Sequence, residues 1–433
     1  MPKKKLLQAD YILAWDNAPE IISQGEIVIE DSLITYIGPR LERREKDFEE
    51  IIKGRDNLIM PGFINTHTHA AMSLFRGYAD DMALMDWLNN KIWPAEAKLR
   101  KEDIYWGTML AIAEMLRGGT TCFADMYFHM DEAARACLES GIRASLAQGL
   151  TGLDKIKGMA GLKEGSSLVR NWHNKGDGRI TVMLGPHAPY TCPPDYLQKV
   201  LEKAADLDVP IHIHLAETRA EVKECLSKYG KTPVELMEEI GLLDHRVLAA
   251  HCVHLTEKEI EILAEKETAI AHNPGSNLKL GSGTAPVAKL LEKGVPVGLG
   301  TDSAASNNNL DMLEEMRLAA LLPKGLLENP TVVPAETALK MATINGADAL
   351  FLSNEVGILK KGAKADLIMF NLNQPHFYPR HNILAHLVYS ARSADINLVM
   401  VNGTVLMSDG ELLTIDEERV FFEAQLRATR LVY

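Results

Sequence analysis

Eight short apolar runs recur along the chain, separated by stretches with helical periodicity. They cover residues 58–65, 120–125, 144–149, 181–185, 210–214, 247–251, 269–272 and 295–301. Apolar runs of this length, bracketed by helical segments, read as strands of a parallel sheet buried on both faces. One intervening stretch, 101–117, is closed by Gly118-Gly119, a helix-ending signal. Eight such strand–helix units predict an α/β fold of the (β/α)8 TIM-barrel type; a doubly wound sheet could also hold eight strands.

The two ends of the chain follow a different rule. Residues 25–38, GEIVIEDSLITYIG, alternate apolar and polar and turn at Asp31-Ser32. Near the other end, 398–401 and 404–406 flank Asn402-Gly403, the pair favoured in a type I′ turn. The ends are therefore expected to form one small β domain, discontinuous in sequence. The predicted division is 1–57 and 357–433 for that domain, with a closing helix over 416–430, and 58–356 for the barrel. A length of 433 residues suits this two-part plan.

Charge and cysteine usage narrow the function classes. With 46 Lys and Arg against 59 Asp and Glu, the net charge is −13, a poor match to nucleic acid or an anionic membrane. Five scattered cysteines without a CxxC pair point to a reducing compartment rather than a disulfide framework. No stretch has the roughly 18 apolar residues of a membrane span. A cytoplasmic protein is expected.

The polar residues fall at the ends of the runs. The first run leads into Asn65-Thr66-His67-Thr68-His69, the fourth is followed by His187, and the fifth ends in His212-Ile213-His214 with Glu217 three residues on. The sixth ends in His251, the seventh in His272 and the eighth in Thr301-Asp302. In a barrel, all these ends open onto one face, which carries the active site. His67 and His69, two apart on an extended strand, point the same way. A lone His-x-His is accidental more often than not; here the other strand ends shift the balance towards a metal site.

The expected ligands are His67, His69, His214 and Asp302, a set that suits zinc, with iron, cobalt, nickel or manganese as alternatives. His212 competes with His214, but the later position is nearer the mouth, and His212 reads as a buried barrel histidine. Asp302 could instead cap a helix. The fourth run lacks a lysine to bridge two metals, so a single ion is expected. Such an ion lowers the pKa of bound water. Asp302 could take the water's proton, His251 could orient the water, and Glu217 could protonate a substrate if a dry pocket raises its pKa. After His69, the segment from Ala70 to Glu96 is rich in apolar and aromatic groups. Trp87 and Glu96 are its candidates for substrate contact, Glu96 as an acceptor for ribose hydroxyls. Met72, Leu74 and Trp93 read as packing on the barrel rim. The glycine-rich GSGTAP at 281–286 is too weak a signal for a phosphate loop.

PGFINTHTHAAM, HIHLAET, His251 and GTDSAASNNNLDM together resemble the amidohydrolase superfamily in its mononuclear deaminase branch, and GILKKGAKADLIMFN is similar to the C-terminal return strand of those enzymes. LFRGYADDMALMDWLNNKIWPAE resembles the 5-methylthioadenosine/S-adenosylhomocysteine deaminases. The resemblance covers essentially the whole chain. It implies zinc or iron on His67, His69, His214 and Asp302, proton transfer by Glu217, and a water positioned by His251. It also implies substrate contacts from Trp87, Glu96 and His187, and a small-molecule nucleoside substrate; it leaves a homo-oligomer open. The implied reaction is hydrolytic deamination of an adenine ring, with guanine or triazine hydrolysis, or a barrel without turnover, as alternatives. One departure stands out. Many members carry an arginine after the third strand, near Gln148 here, whereas Arg143 precedes that strand.

Overall fold

Gly62 is the point at which the chain leaves one sheet and enters another. The computed structural model describes residues 3–15 and 18–433. Four strands precede Gly62: β1 (Lys4–Trp15), β2 (Pro19–Glu30), β3 (Leu33–Pro39) and β4 (Glu50–Pro61). Eight follow it: β5 (Phe63–Thr68), β6 (Thr120–Tyr127), β7 (Arg143–Leu150), β8 (Ile180–Pro186), β9 (Ile211–Leu215), β10 (Val247–His251), β11 (Ala269–His272) and β12 (Val297–Leu299). Four more close the chain: β13 (Leu367–Asn371), β14 (Ile396–Val401), β15 (Thr404–Ser408) and β16 (Glu411–Leu412).

Strands β5–β12 form a closed parallel barrel with helices between them, as the eight apolar runs predict. Their residues are almost all buried, so no polar alternation marks them in the sequence. The run 58–65 is a correction: it spans two strands, not one. Its first part belongs to β4, which pairs with β13, and only its second part enters the barrel. The reason is that both strands are buried, which hides the joint from any hydrophobicity reading.

The other strands make one sheet in the order β16-β15-β14-β13-β4-β1-β2-β3. Both expected hairpins are present, β2 with β3 and β14 with β15. Asn402 and Gly403 have φ of 52° and 76°, the double left-handed geometry that a type I′ turn needs. The pattern missed β1 and much of β4, which pair in parallel; β4 also pairs with β13 and so joins the two ends of the chain. The closing helix is Glu417–Val432, capped by the Asp416 side chain. Its Glu417 receives Arg117 at 2.8 and 2.7 Å from the helix Lys101–Arg117. All five cysteines are buried and unpaired. Among the described residues, no helix is long and apolar enough to cross a membrane.

A buried ion pair joins sheet and barrel. Arg143, the first residue of β7, donates to Asp366 just before β13, Nε to Oδ2 at 2.7 Å and Nη2 to Oδ1 at 3.1 Å. Both side chains are about 1% exposed. The Asn402 amide also donates to Asp366 Oδ1 at 2.7 Å, and the Gly62 amide donates to its carbonyl at 3.2 Å. Arg143 thus sits at the N-terminal end of the barrel, away from the strand ends that carry the histidines.

Replacing Arg143 with Met strands a buried carboxylate, so the variant should lose about 3–5 kcal/mol of stability. The double variant Arg143→Met/Asp366→Leu should recover most of that loss. Urea midpoints for both proteins test the claim; a single variant as stable as the parent would refute it.

Candidate functional site

The site is built where strands end. Strand alternation turns the His67 and His69 rings to one side of β5, with centroids 4.9 Å apart. The backbone then fixes each ring. His69 Nδ1 donates to the Met126 carbonyl at 2.5 Å, and His214 Nδ1 donates to the His187 carbonyl at 2.8 Å. A carbonyl can only accept, so both Nδ1 atoms carry the proton and both Nε2 atoms are bare lone pairs. Those two Nε2 atoms face each other at 3.2 Å.

Asp302 reaches the same point from the end of β12. Its amide donates to the His67 carbonyl at 2.9 Å, and its φ is +59°. Gly300, two residues earlier, permits this approach: a Cβ there would lie 2.8 Å from His67 N and 2.4 Å from Asn273 Oδ1. Asp302 Oδ1 stands 3.4 Å from His69 Nε2 and 3.6 Å from His67 Nε2. Its Oδ2 accepts from Ser276 at 2.6 Å and Ser306 at 3.1 Å. Asp302 is not the helix cap; Ser303 fills that role for Ala304–Asn307.

Four electron-rich atoms, Nε2 of His67, His69 and His214 and Oδ1 of Asp302, are therefore gathered in one cluster. His67 Nε2 is buried and without a hydrogen-bond partner. Burial, reinforced by the neighbouring imidazoles, holds His67 and His214 well below the ordinary histidine range, which is the neutral form that binds metals. His67, His69 and Asp302 group as possible holders of an ion, as do His67, His214 and His251. The donor set fits a single divalent cation. His212 lies behind this group: its Nε2 is 2.9 Å from His67 Nδ1, on the far side of that ring.

Glu217 and His251 complete the inner wall. Glu217 is 6% exposed, and its burial raises its pKa against the opposing pull of His251. Its Oε1 accepts from Ser282 at 3.2 Å, and its Oε2 is 3.9 Å from His251 Nε2. His251 is lowered by burial but raised by Glu217 and Asp302, and the net shift is upward. Its Nδ1 lies 2.9 Å from Asn277 Oδ1. The main chain bends sharply around these groups: Ala216 and His251 have φ of 51° and 74°. Left-handed geometry at non-glycine residues costs on the order of 1–3 kcal/mol each and collects at functional sites. Glu221 holds the first bend, its two carboxylate oxygens accepting from the Ala216 and Glu217 amides at 2.9 and 2.8 Å.

A cavity of about 890 Å³, measured out to its open mouth, leads from this cluster to the surface. His187 lines it, held to Thr191 at 2.9 Å and lowered by burial to about 4. Trp87 and Glu96 line it too. The Trp87 indole N–H is buried and unpartnered, and Glu96 Oε1 accepts from the Tyr127 hydroxyl at 2.6 Å. Met72 and Trp93, expected to be rim packing, also face the cavity, whereas Leu74 does not. Sequence reasoning missed Tyr127, Ser276, Asn277 and Ser282. The first lies two residues past a run already recognised. Ser276 and Asn277 lie four and five residues after His272, and Ser282 sits in the glycine-rich stretch set aside as weak.

The model of the amidohydrolase family matches residues 58–406. The chain belongs to the amidohydrolase family. This amidohydrolase is 53% identical over 416 residues to a 5-methylthioadenosine/S-adenosylhomocysteine deaminase from Dictyoglomus turgidum, covering 95% of this chain and 96% of the relative. Among solved structures, it resembles an adenosine deaminase from Xanthomonas campestris with bound zinc (34% identity, TM-score 0.93, 99% of both chains). It also resembles an atrazine chlorohydrolase from Arthrobacter aurescens complexed with zinc (26% identity, TM-score 0.91, 99% of this chain and 100% of that one).

If the cluster is a cation cage, purified protein should carry about one divalent metal per chain. Asp302→Ala or His69→Ala should lower that content at least about tenfold, while His212→Asn, which leaves the facing atoms in place, should lower it less. Elemental analysis of the three variants decides this; unchanged metal in Asp302→Ala would remove Asp302 from the cage.

Proposed function

We propose that the chain hydrolyses the adenine ring amine of 5-methylthioadenosine and S-adenosylhomocysteine, and also of adenosine, to an inosine-type product and ammonia. One observation carries the reading: a buried carboxyl, Glu217, shares the inner wall of one cavity with a convergent set of metal-type donors. The deaminase relative, matched end to end, supports the choice of substrate.

His67, His69, His214 and Asp302 would hold one zinc ion; iron is the alternative. When bound, that ion supplies Lewis acidity that brings a water's pKa towards neutrality. The protein's own groups do the rest. Glu217, whose pKa burial raises, gives its proton to ring N1 as water adds to C6, and takes the C6 hydroxyl proton back as the carbonyl forms. Asp302 takes a proton from the attacking water and returns it to the departing amine. His251, held by Asn277, donates to the oxygen that gains charge at C6. Trp87 and His187 flank the substrate, and Glu96 keeps lone pairs for ribose hydroxyls beside its Tyr127 contact.

We further propose a barrel from Gly62 to residue 356 and a small β domain from 1–61 and 357–433; the joint expected after residue 57 moves to Gly62 because 58–61 pair within the sheet. Unpaired buried thiols support a cytoplasmic setting. The acidic balance supports a small-molecule partner rather than nucleic acid.

Ammonia release from a panel of adenine nucleosides, guanine and a triazine tests the assignment. The adenine nucleosides should turn over fastest; a clear lead for guanine or the triazine would overturn it. Glu217→Gln should keep its metal yet lose roughly 10²-fold or more in turnover. Turnover at the parent rate would exclude Glu217 from proton transfer.

A further inference from the structure

5-Methylthioadenosine and S-adenosylhomocysteine differ only in the group on the 5′ sulfur. One carries a methyl; the other carries an amino-acid tail with a carboxylate and an ammonium. Among the described residues, those lining the cavity include three carboxylates, Glu96, Glu217 and Asp302, and no lysine or arginine. Three cations of the barrel are engaged elsewhere. Arg143 is locked to Asp366 at the other end of the barrel. Lys279 is bound to Asp80 and Asn308, and Lys91 lies over the Tyr78 ring at 5.7 Å. Gln148 directs its carbonyl to the Met130 amide at 3.4 Å.

The exposure gradient tells which end of the cavity is the mouth. Asp302 and Glu217 are 5% and 6% exposed, whereas Trp93 and Phe128 are 37% and 38% exposed. The wall also includes Leu84, Leu88 and Ile92. A substrate with its adenine at the donor cluster and its ribose at Glu96 would lay its 5′ group along this outer stretch. An alkyl thioether gains there by covering apolar surface. A carboxylate finds no charge-assisted partner among the residues that line the cavity.

We propose that this site selects a neutral, apolar 5′ substituent, and discriminates against a zwitterionic amino-acid tail. The inference rests on the adenine-deaminase reading above. The test compares kcat/KM of the metal-loaded enzyme for 5-methylthioadenosine, its 5′-propylthio homologue and S-adenosylhomocysteine. The two alkylthio nucleosides should lead S-adenosylhomocysteine by at least about tenfold, the scale of one charge-assisted contact, with the difference in KM rather than kcat.

Thr151 is exposed and borders the cavity, so Thr151→Arg adds a cation there without burying it. It should shift the ratio towards S-adenosylhomocysteine by about tenfold. Thr151→Gln should leave the ratio alone. Equal efficiency on both substrates in the parent, or a ratio indifferent to Thr151→Arg, overturns the proposal. Absence of ammonia from every adenine nucleoside would strike the deaminase reading instead.

Discussion

Two imidazoles are held lone pair to lone pair by backbone carbonyls. That arrangement is the constraint on which the candidate site depends. Met126 and His187 dictate which nitrogen of His69 and of His214 keeps its proton, and so aim two bare nitrogens at one another at 3.2 Å. Asp302 adds a third negative end. In a dry interior such a cluster repels itself strongly unless a positive ion neutralises it. The rest of the mouth follows from keeping these groups in place: serines on Asp302 and an asparagine on His251.

The barrel makes that convergence cheap in conformation. Eight parallel strands deliver their last residues to one rim, so groups from residue 67 to residue 302 need no long loops to meet. Where the rim asks for more than a strand can give, the chain turns into left-handed geometry at Ala216, His251 and Asp302. Glu221 and the close approach at Gly300 absorb two of those turns.

Much of this was legible in the residues. The fold showed because buried parallel strands are short apolar blocks, and the candidate site showed because histidines and acids sat at their ends. What stayed hidden shares one cause. The β4–β5 joint at Gly62 was invisible because both strands are buried, so hydrophobicity does not change across it. Met72 and Trp93 are apolar whether they face a cavity or a neighbouring helix. Ser276, Asn277 and Ser282 look like ordinary loop residues until the loops are folded onto Asp302, His251 and Glu217. The pairing of β1 with β4 depends on contacts between distant strands, which local alternation does not report.

The strand order of the terminal sheet bears on how the molecule is made. β4 sits between β1, from the start of the chain, and β13, from near its end. On a ribosome, the first strands must wait with one flank of β4 open while the whole barrel sequence is translated. Only when Asp366 and β13 emerge can that flank and the charge of Arg143 be covered. The nascent chain therefore carries an unpaired strand edge through most of its synthesis, an edge that other chains in the cell can reach.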